Sequence, residues 1–239
     1  MPVEYRVLIQ KARRKTTIGF QVMPDGVVRV SIPQHYPADH VPTLLARKER
    51  WINKRLQLVQ QHAALTASRQ YQNGEHFYVL GQAYALQRIR SPAHADNILV
   101  RCTTAALEVY VGDLADATES VIQTAIKTRL TAWYQDTAKD LLTQRTWYFA
   151  QPLKCMPKSI QVKSYKSRWG CCSRNHEISY NWLIIMAPQC IVDYLIVHEL
   201  CHIQHHHHGA SFWQAVEQVM PDYQAARTWL REQGHRLLV

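Results

Sequence analysis

Residues Ile191–His202 read IVDYLIVHELCH, an apolar run that ends in two histidines with a glutamate between them. Nearly every position before His198 is apolar, which predicts a helix that is buried on most sides. His198 and His202 are four residues apart, so a helix places both imidazoles on one face. Glu199 is then buried beside them, and a buried carboxylate is costly unless a cation or another partner compensates its charge.

This spacing predicts a metal site with a catalytic base. His198 and His202 can bind one ion, and Glu199, next to the first ligand, can take a proton from the water that the ion activates. Zinc fits best, because it accepts imidazole ligands in a tetrahedral arrangement and needs no redox control. The alternative is a surface helix with incidental histidines, which the apolar run before His198 disfavours.

A catalytic zinc site needs a third protein ligand and an open position for water, and the chain continues as a histidine tract. If the helix runs on, His205 or His206 lies near the first two ligands. If the helix ends and the chain turns back, His208 reaches the ion from another direction. We predict His208, because three ligands in line along one straight helix fit a tetrahedron poorly. His205, His206 and His207 then either support the ligands, bind metal transiently or face solvent.

The composition limits the class of protein. The chain has 239 residues, 47% of them hydrophobic and 19% charged, which is enough to bury a core in one large domain or two small ones. Its formal net charge of +10 fits an anionic partner, such as an acidic peptide, a small phosphate ester or nucleic acid, or else a basic solvated surface. No apolar run approaches the ~20 residues of a membrane span, and the first residues do not read as a signal peptide. We therefore expect a cytoplasmic protein with no membrane partner.

The hydrophobic pattern predicts an α+β fold. A β-rich region with one helix covers residues 1–115, and a helical catalytic core with a small sheet covers residues 116–239. Clustered β-formers and turn signals, including Pro24-Asp25-Gly26 and Gly81-Gln82, predict strands at Tyr5–Gln10, Thr17–Met23, Val27–Ile32, Phe77–Leu80, Tyr84–Ile89, Ile98–Cys102, Leu107–Val111, Ser159–Lys163 and Ile178–Tyr180. Helical spacing predicts helices at His40–Leu65, Thr118–Gln144, Ile191–His206, Ser211–Val219 and Tyr223–Gln233.

Four residues are candidates for contacting the substrate or the developing oxyanion: Arg168, Tyr165, Trp169 and Tyr194. The first three belong to the basic segment Lys163–Gly170. That segment could hold an anionic substrate, stack a base or a peptide side chain on Trp169, or form a wall of the cleft. The alternative is a structural loop that packs Trp169 into the core while its charges face water.

Two further residues, Asp193 and Asn181, are predicted behind the metal ligands. Asp193 either orients a ligand imidazole, as carboxylates often do at metal sites, or forms a local salt bridge. Phe212 and Trp213 lie at helical spacing with later apolar residues and are expected in the core.

Four segments of the chain resemble one known family. They are KSRWGCCS (Lys166–Ser173), ISYNWLIIMAP (Ile178–Pro188), IVDYLIVHELCH (Ile191–His202), and His208 followed by Ser211-Phe212-Trp213. With them the chain resembles the YgjP-like metal-dependent hydrolases, zincins related to the SprT-like and minimal gluzincin-type peptidases. The resemblance is strongest over Lys158–Leu230. It implies a zincin-like catalytic core, bound zinc and hydrolytic activity.

The resemblance also bears on the third ligand. The family typically reads Asn-His-Ser and then Phe-Trp, whereas this chain reads His207-His208-Gly209 with Phe212-Trp213 in register. This correspondence implies that His208 is the third ligand, although its two neighbours differ from the family. The family also usually has a serine where this chain has Cys171.

Three functions fit these observations. The first is a zinc metallopeptidase. The second is a zinc-dependent nucleotide pyrophosphohydrolase that cleaves phosphoanhydrides, which the positive charge and the segment Lys163–Arg168 suit. The third is a DNA-associated module with structural zinc, served by the basic helix around Arg47–Arg55. A closed site with four ligands would favour the third function, and an open site with Glu199 facing water would favour the first two.

Overall fold

This computed structural model of the chain describes residues 4–12, 17–23, 25–67, 69–91, 98–112 and 117–237, so Pro24 of the predicted turn lies outside the described residues. The fold contains three sheets and five α-helices within these ranges, and the predicted α+β class is confirmed. Two compact units make up the chain, Met1–Arg69 and Gln70–Val239. The boundary predicted after residue 115 therefore falls inside the second unit.

The first unit is a small sheet with one helix. Its strands are β1 (Val7–Ala12), β2 (Gly19–Val22) and β3 (Val28–Pro33), and its helix is α1 (Val41–Ala67). The predicted hairpin forms between β2 and β3, while β1 pairs with the other side of β3 in the parallel direction. Alternate residues of β3 are fully buried and pack with apolar residues of α1, as a half-buried strand requires.

The second unit begins with a four-stranded sheet. Its strands are β4 (His76–Val79), β5 (Gln82–Arg90), β6 (Leu99–Cys102) and β7 (Ala106–Val111), in the order β4-β5-β7-β6. The buried faces of β5 and β7 share one core with the helix that follows. This shared core explains why the compact unit begins at Gln70 and not after the sheet.

The turn between β4 and β5 supports the start of the helix that carries the metal-site motif. It consists of Leu80 and Gly81, both at positive φ (50° and 81°), one residue earlier than predicted. The Leu80 N–H donates to the carbonyl of Ile185 at 2.6 Å. A Cβ atom on Gly81 would lie 2.8 Å from the Cα of Pro188, the residue that precedes that helix. Only glycine allows this approach.

The long helix α2 (Glu119–Leu153) extends nine residues beyond the predicted end at Gln144. Its fully buried residues recur at every fourth position: Ile126, Leu130, Tyr134, Ala138, Leu142, Thr146 and Ala150. The last two are small or polar, so they do not continue an apolar stripe in the sequence. The Thr146 hydroxyl is satisfied in the core, because it donates to the Leu142 carbonyl at 2.6 Å and lies 3.1 Å from the Tyr180 hydroxyl.

A second small sheet and three helices complete this unit. The strands are β8 (Ser159–Lys163), β9 (Gly170–Cys172) and β10 (Glu177–Asn181), with β10 central, parallel to β8 and antiparallel to β9. A 3₁₀ helix (Trp182–Met186) leads to α3 (Gln189–Cys201), α4 (Ala210–Val219) and α5 (Tyr223–Gln233). In α3 all but three residues are buried, as the apolar run predicts. No helix in the described ranges has the length and apolar composition that a membrane span needs.

We expect the substitution Leu130→Ala to lower the free energy of unfolding of the second unit by roughly 2–5 kcal/mol, because Leu130 is fully buried in α2. Val121→Ala, at a position of the same helix that is 55% exposed, should cost less than about 0.5 kcal/mol. Trp51 is the one tryptophan outside the second unit, so urea unfolding followed by tryptophan fluorescence in a Trp51→Phe background reports on this unit. Equal losses for both substitutions would contradict the assigned core.

Candidate metal centre

Three histidines converge at the end of α3. The ligand atoms that His198, His202 and His208 can offer all lie within 4.8 Å of one another, and Nε2 of His198 is 3.1 Å from Nε2 of His208. Two ligands of a tetrahedral zinc ion lie about 3.3 Å apart when each bond is about 2.0–2.1 Å. His208 is solvent-exposed and the other two are half-buried, so the group is open on one side. The structure thus brings together the three residues that the sequence predicts as ligands.

The turn after α3 delivers His208 without a glycine. The helix ends at Cys201, five residues before the predicted end at His206, and the chain reverses through the histidine tract. The His202 Nδ1–H donates to the carbonyl of His205 at 2.9 Å, and the His205 N–H donates to the carbonyl of Cys201 at 2.9 Å. The first of these hydrogen bonds keeps the imidazole proton of His202 on Nδ1, which leaves the lone pair of Nε2 available for a metal.

The buried ring of Phe212 packs against all three imidazoles. Phe212, in the first turn of α4, is fully buried, and its centroid lies 5.0, 4.6 and 4.8 Å from those of His198, His202 and His208. Trp213 stacks on His208 at 5.6 Å with an interplanar angle of 23°. Both aromatic residues pack in or against the core, as expected, but their contact with the imidazoles is not visible from helical spacing.

The electrostatics of the site keep the imidazoles neutral. Burial lowers the pKa of His198 to about 3, with further contributions from His202, His208 and Arg227. Burial also lowers the pKa of His202 and of His208. A neutral imidazole has a free lone pair, so this donor set fits zinc. Nδ1 of His198 is buried without a hydrogen-bond partner in the described part of the chain, so packing orients this ring.

The structure places Asp193 away from the ligands. Both of its carboxylate oxygens pair with the Arg145 guanidinium of α2, with Oδ2 accepting from Nη2 at 2.7 Å. Asp193 is five residues before His198, and five residues of helix turn the side chain by about 140° to a different face. Asp193 thus forms a salt bridge instead of the predicted contact with a ligand imidazole, and this salt bridge joins α2 to α3 and is not local in the sequence.

Asn181 holds the basic loop in place and does not reach the imidazoles. Its Nδ2 donates to the Tyr165 carbonyl at 3.0 Å, and its Oδ1 accepts from the N–H of Leu183 at 3.3 Å. The Tyr165 hydroxyl lies 2.7 Å from the Ser179 hydroxyl. Trp169 packs so closely on Gly234 that a Cβ atom there would lie 2.9 Å from the indole. Tyr165 and Trp169 thus both make structural contacts, the first with Ser179 of β10 and the second with Gly234 after α5.

Glu199 lies in a tight apolar position beside strand β9. It is only 4% exposed, and a Cβ atom on Gly170 would lie 2.6 Å from its Oε1. Within the described residues its carboxylate has no hydrogen bond or ion pair. Burial raises the pKa of Glu199 to about 8, the nearby Cys171 thiol adds to the rise, and the charge of Arg168 opposes it. A desolvated carboxylate of this kind is a stronger base than an exposed one.

Two of the other candidates, Tyr194 and Arg168, have different neighbours. The Tyr194 ring is 5.8 Å from the His198 ring, one turn earlier on α3, and burial raises the pKa of its hydroxyl to about 12. The Arg168 guanidinium is exposed and lies 5.7 Å from the centroid of the Tyr165 ring. Arg227 of α5 also lies near the histidines, and the sequence reasoning did not identify it because α5 has no recognisable motif.

A three-histidine group beside a buried glutamate suits a metal-dependent hydrolase, and a known protein family matches the chain. A family described as YgjP-like, metallopeptidase domain, matches residues 16–233. The chain therefore belongs to the YgjP-like family, and the resemblance predicted from the sequence is confirmed.

One solved structure similar to this chain is the crystal structure of the metallopeptidase zymogen abylysin from Pyrococcus abyssi. The two are 21% identical with a TM-score of 0.34, and the match covers 40% of this chain and 95% of abylysin. No curated protein matches the chain.

We expect His208→Ala to weaken zinc binding by more than about 100-fold, since substitutions behind metal ligands alone cost about 10–100-fold. His206→Ala, two residues earlier and also exposed, should leave the affinity within a few-fold of the parent. Competition with a chelating dye measures both affinities, and metal content after dialysis gives the stoichiometry. An unchanged affinity in His208→Ala would exclude this residue as the third ligand.

We expect Gly170→Ala to lower kcat for peptide hydrolysis by about 10- to 100-fold, because the new methyl group displaces the Glu199 carboxylate and misplaced catalytic groups lose rate on this scale. Zinc content should stay at the parental value, since the three atoms nearest to the new methyl group all belong to Glu199. Gly209→Ala is the matched control, because a Cβ atom there meets nothing within 4 Å. If both alanine variants keep full kcat, the contact with strand β9 does not position Glu199.

Proposed function

We propose that this protein is a zinc-dependent peptidase in which His198, His202 and His208 bind the metal and Glu199 is the general base. The proposal depends chiefly on the placement of Glu199. Its carboxylate is buried, lacks a hydrogen-bonded partner in the described ranges, and sits in the same helical turn as two of the three imidazoles. An isolated buried carboxylate is a cost to stability that a structural role does not explain.

Zinc, when bound by three imidazoles with one position open, supplies Lewis acidity to a carbonyl oxygen and lowers the pKa of water. Glu199 then accepts the proton that the water loses as its oxygen bonds to the peptide carbon. The same carboxyl group returns this proton to the amide nitrogen as the C–N bond breaks, so that an amine leaves. The burial of Glu199, which is only 4% exposed, limits the access of bulk water to the carboxyl group between the two transfers.

The strand β9 offers a place for a peptide. It lies at the edge of its sheet, because β10 pairs with it on one side only. An extended peptide can add to such an edge through backbone hydrogen bonds. Gly170 of β9 touches the Glu199 carboxylate, so a peptide paired with β9 would pass directly beside the general base.

Two side chains are suited to stabilise the developing oxyanion. Arg168 is exposed two residues before Gly170, which adjoins the Glu199 carboxylate, and its charge opposes the rise in the pKa of Glu199. The Tyr194 hydroxyl keeps its proton at neutral pH, because burial raises its pKa to about 12, and its ring adjoins His198. Preorganised donors of either kind typically contribute about 10²–10³ in kcat.

The second candidate function is hydrolysis of nucleotide phosphoanhydrides, which the exposed Arg168 near Glu199 favours because a guanidinium recognises phosphate well. A purely structural zinc site fits less well. Structural zinc is held by four protein ligands, whereas the group in the described chain consists of three histidines, one of them exposed.

We expect Glu199→Gln to retain zinc and to lose about 10²- to 10⁴-fold in kcat, the range that a general acid–base group contributes. The amide has nearly the same shape but cannot accept a proton from water. A peptide library and the nucleoside triphosphates, each assayed with the parent and with this variant, separate the two candidate reactions. Equal turnover by both proteins would remove Glu199 from its proposed role, and turnover of triphosphates alone would replace the peptidase proposal.

A further inference from the structure

Helix α5 brings an arginine close to the metal centre. The Arg227 guanidinium carbon lies 4.6 Å from the centroid of the Trp213 ring, and Trp213 in turn stacks on His208 at 5.6 Å. Tyr223, one turn earlier on α5, stacks on the same indole at 5.1 Å with an interplanar angle of 15°. Trp213 therefore fixes Arg227 one ring away from the third histidine.

The charge of Arg227 is not neutralised by any carboxylate in the described residues. The ion pairs found there are Arg88–Glu119, Arg145–Asp193 and Arg231–Glu232. Arg227 is exposed. Its guanidinium and a metal ion at the histidines would both be cations, so an anion that contacts both is the partner that makes the arrangement favourable.

The geometry of the guanidinium suits carboxylate recognition. The guanidinium carbon lies close enough to the indole for a cation–π contact, and the N–H groups of an exposed guanidinium remain available for hydrogen bonds. Two of these N–H groups match the two oxygens of a carboxylate.

The two arginines near the site have different neighbours. Arg168 lies over the Tyr165 ring, two residues before Gly170 and its close approach to Glu199, whereas Arg227 lies over Trp213, which stacks on His208. Arg227 is therefore on the side of the third histidine, where a part of the substrate beyond the reacting carbonyl can contact it.

We propose that Arg227 is a specificity-determining residue that binds a carboxylate of the peptide substrate, either an acidic side chain or the C-terminal carboxylate, close to the scissile bond. This proposal rests on the proposed peptidase function. It predicts a protein that prefers peptides with a negative charge at one defined distance from the cleaved bond.

The experiment starts from a peptide that the parent protein cleaves in a proteome-derived peptide library. Four fluorescein-labelled forms of it carry either Glu or Gln at the acidic position and either a free or an amidated C-terminus. Fluorescence anisotropy measures their binding to the zinc-loaded Glu199→Gln protein, which is expected to turn over too slowly to consume them. The same measurement is made with Arg227→Gln, Arg227→Lys or Arg231→Gln added. Arg231 is the matched control, since it is exposed on the same helix and pairs with Glu232.

Arg227→Gln should weaken binding of the acidic forms by roughly 10- to 100-fold, the range of a hydrogen-bonded charge pair, and should leave the neutral form within about two-fold. Arg227→Lys should recover part of the loss, because it keeps the charge without the two-pronged geometry. Arg231→Gln should change nothing, and all variants should retain zinc. If replacing Glu by Gln weakens binding to the parent site as much as Arg227→Gln does, the bound carboxylate is the side chain. If amidation of the C-terminus has that effect, the bound carboxylate is the terminus.

Two outcomes would overturn the proposal while leaving the peptidase function intact. One is equal weakening of acidic and neutral peptides by Arg227→Gln, which would indicate a structural effect through Trp213 and His208. The other is cleavage of peptides by the parent without any preference for negative charge. If the parent cleaves no peptide, the proposed function itself fails, and the subsite proposal falls with it.

Discussion

The burial of ionisable side chains on α3 is the constraint on which the rest of the structure depends. This helix lies inside the main apolar core, yet it carries Asp193, His198 and Glu199. Each buried charge or polar group must be compensated or accepted as a cost. Arg145 compensates Asp193, and packing on Phe212 orients His198. The carboxylate of Glu199 has no hydrogen-bonded or charged partner of this kind among the described residues. The apolar burial in the large core that α2 and α3 share offsets the free-energy cost of these buried polar groups.

Local patterns in the sequence were sufficient for the parts of the site that depend on one element. The spacing of His198 and His202 determines that both imidazoles share a face, whatever surrounds the helix. Alternating β-formers and helical periodicity located most strands and helices to within a few residues, and strand β8 and helix α5 have their predicted bounds. The tetrahedral preference of zinc predicts His208, since three ligands in line along one helix fit it poorly. The structure brings His208 beside the other two histidines through a turn that His202 itself closes.

The features that sequence reasoning missed all depend on contacts between distant segments. Thr146 and Ala150 extend α2 because their surroundings accept small and hydroxyl side chains, which an apolar stripe does not reveal. Strand β9 is three residues long and exists because β10 pairs with it. The pairing of Asp193 with Arg145 spans 48 residues, and the approach of Gly170 to Glu199 spans 29, so neither leaves a local signal.

Burial and exposure divide the charges of the site into two kinds. Glu199 is held where water is scarce, so its basicity is high and its partners are few, which suits a group that must accept and return one proton. Arg227 stays in contact with water, so an unpaired charge costs little there, and its position is set by an aromatic face instead of a counterion. A side chain that exchanges protons with the substrate benefits from burial. A side chain that recognises the substrate must be accessible before the substrate binds. The fold meets both requirements by carrying Glu199 on the buried helix α3 and Arg227 at an exposed position of α5.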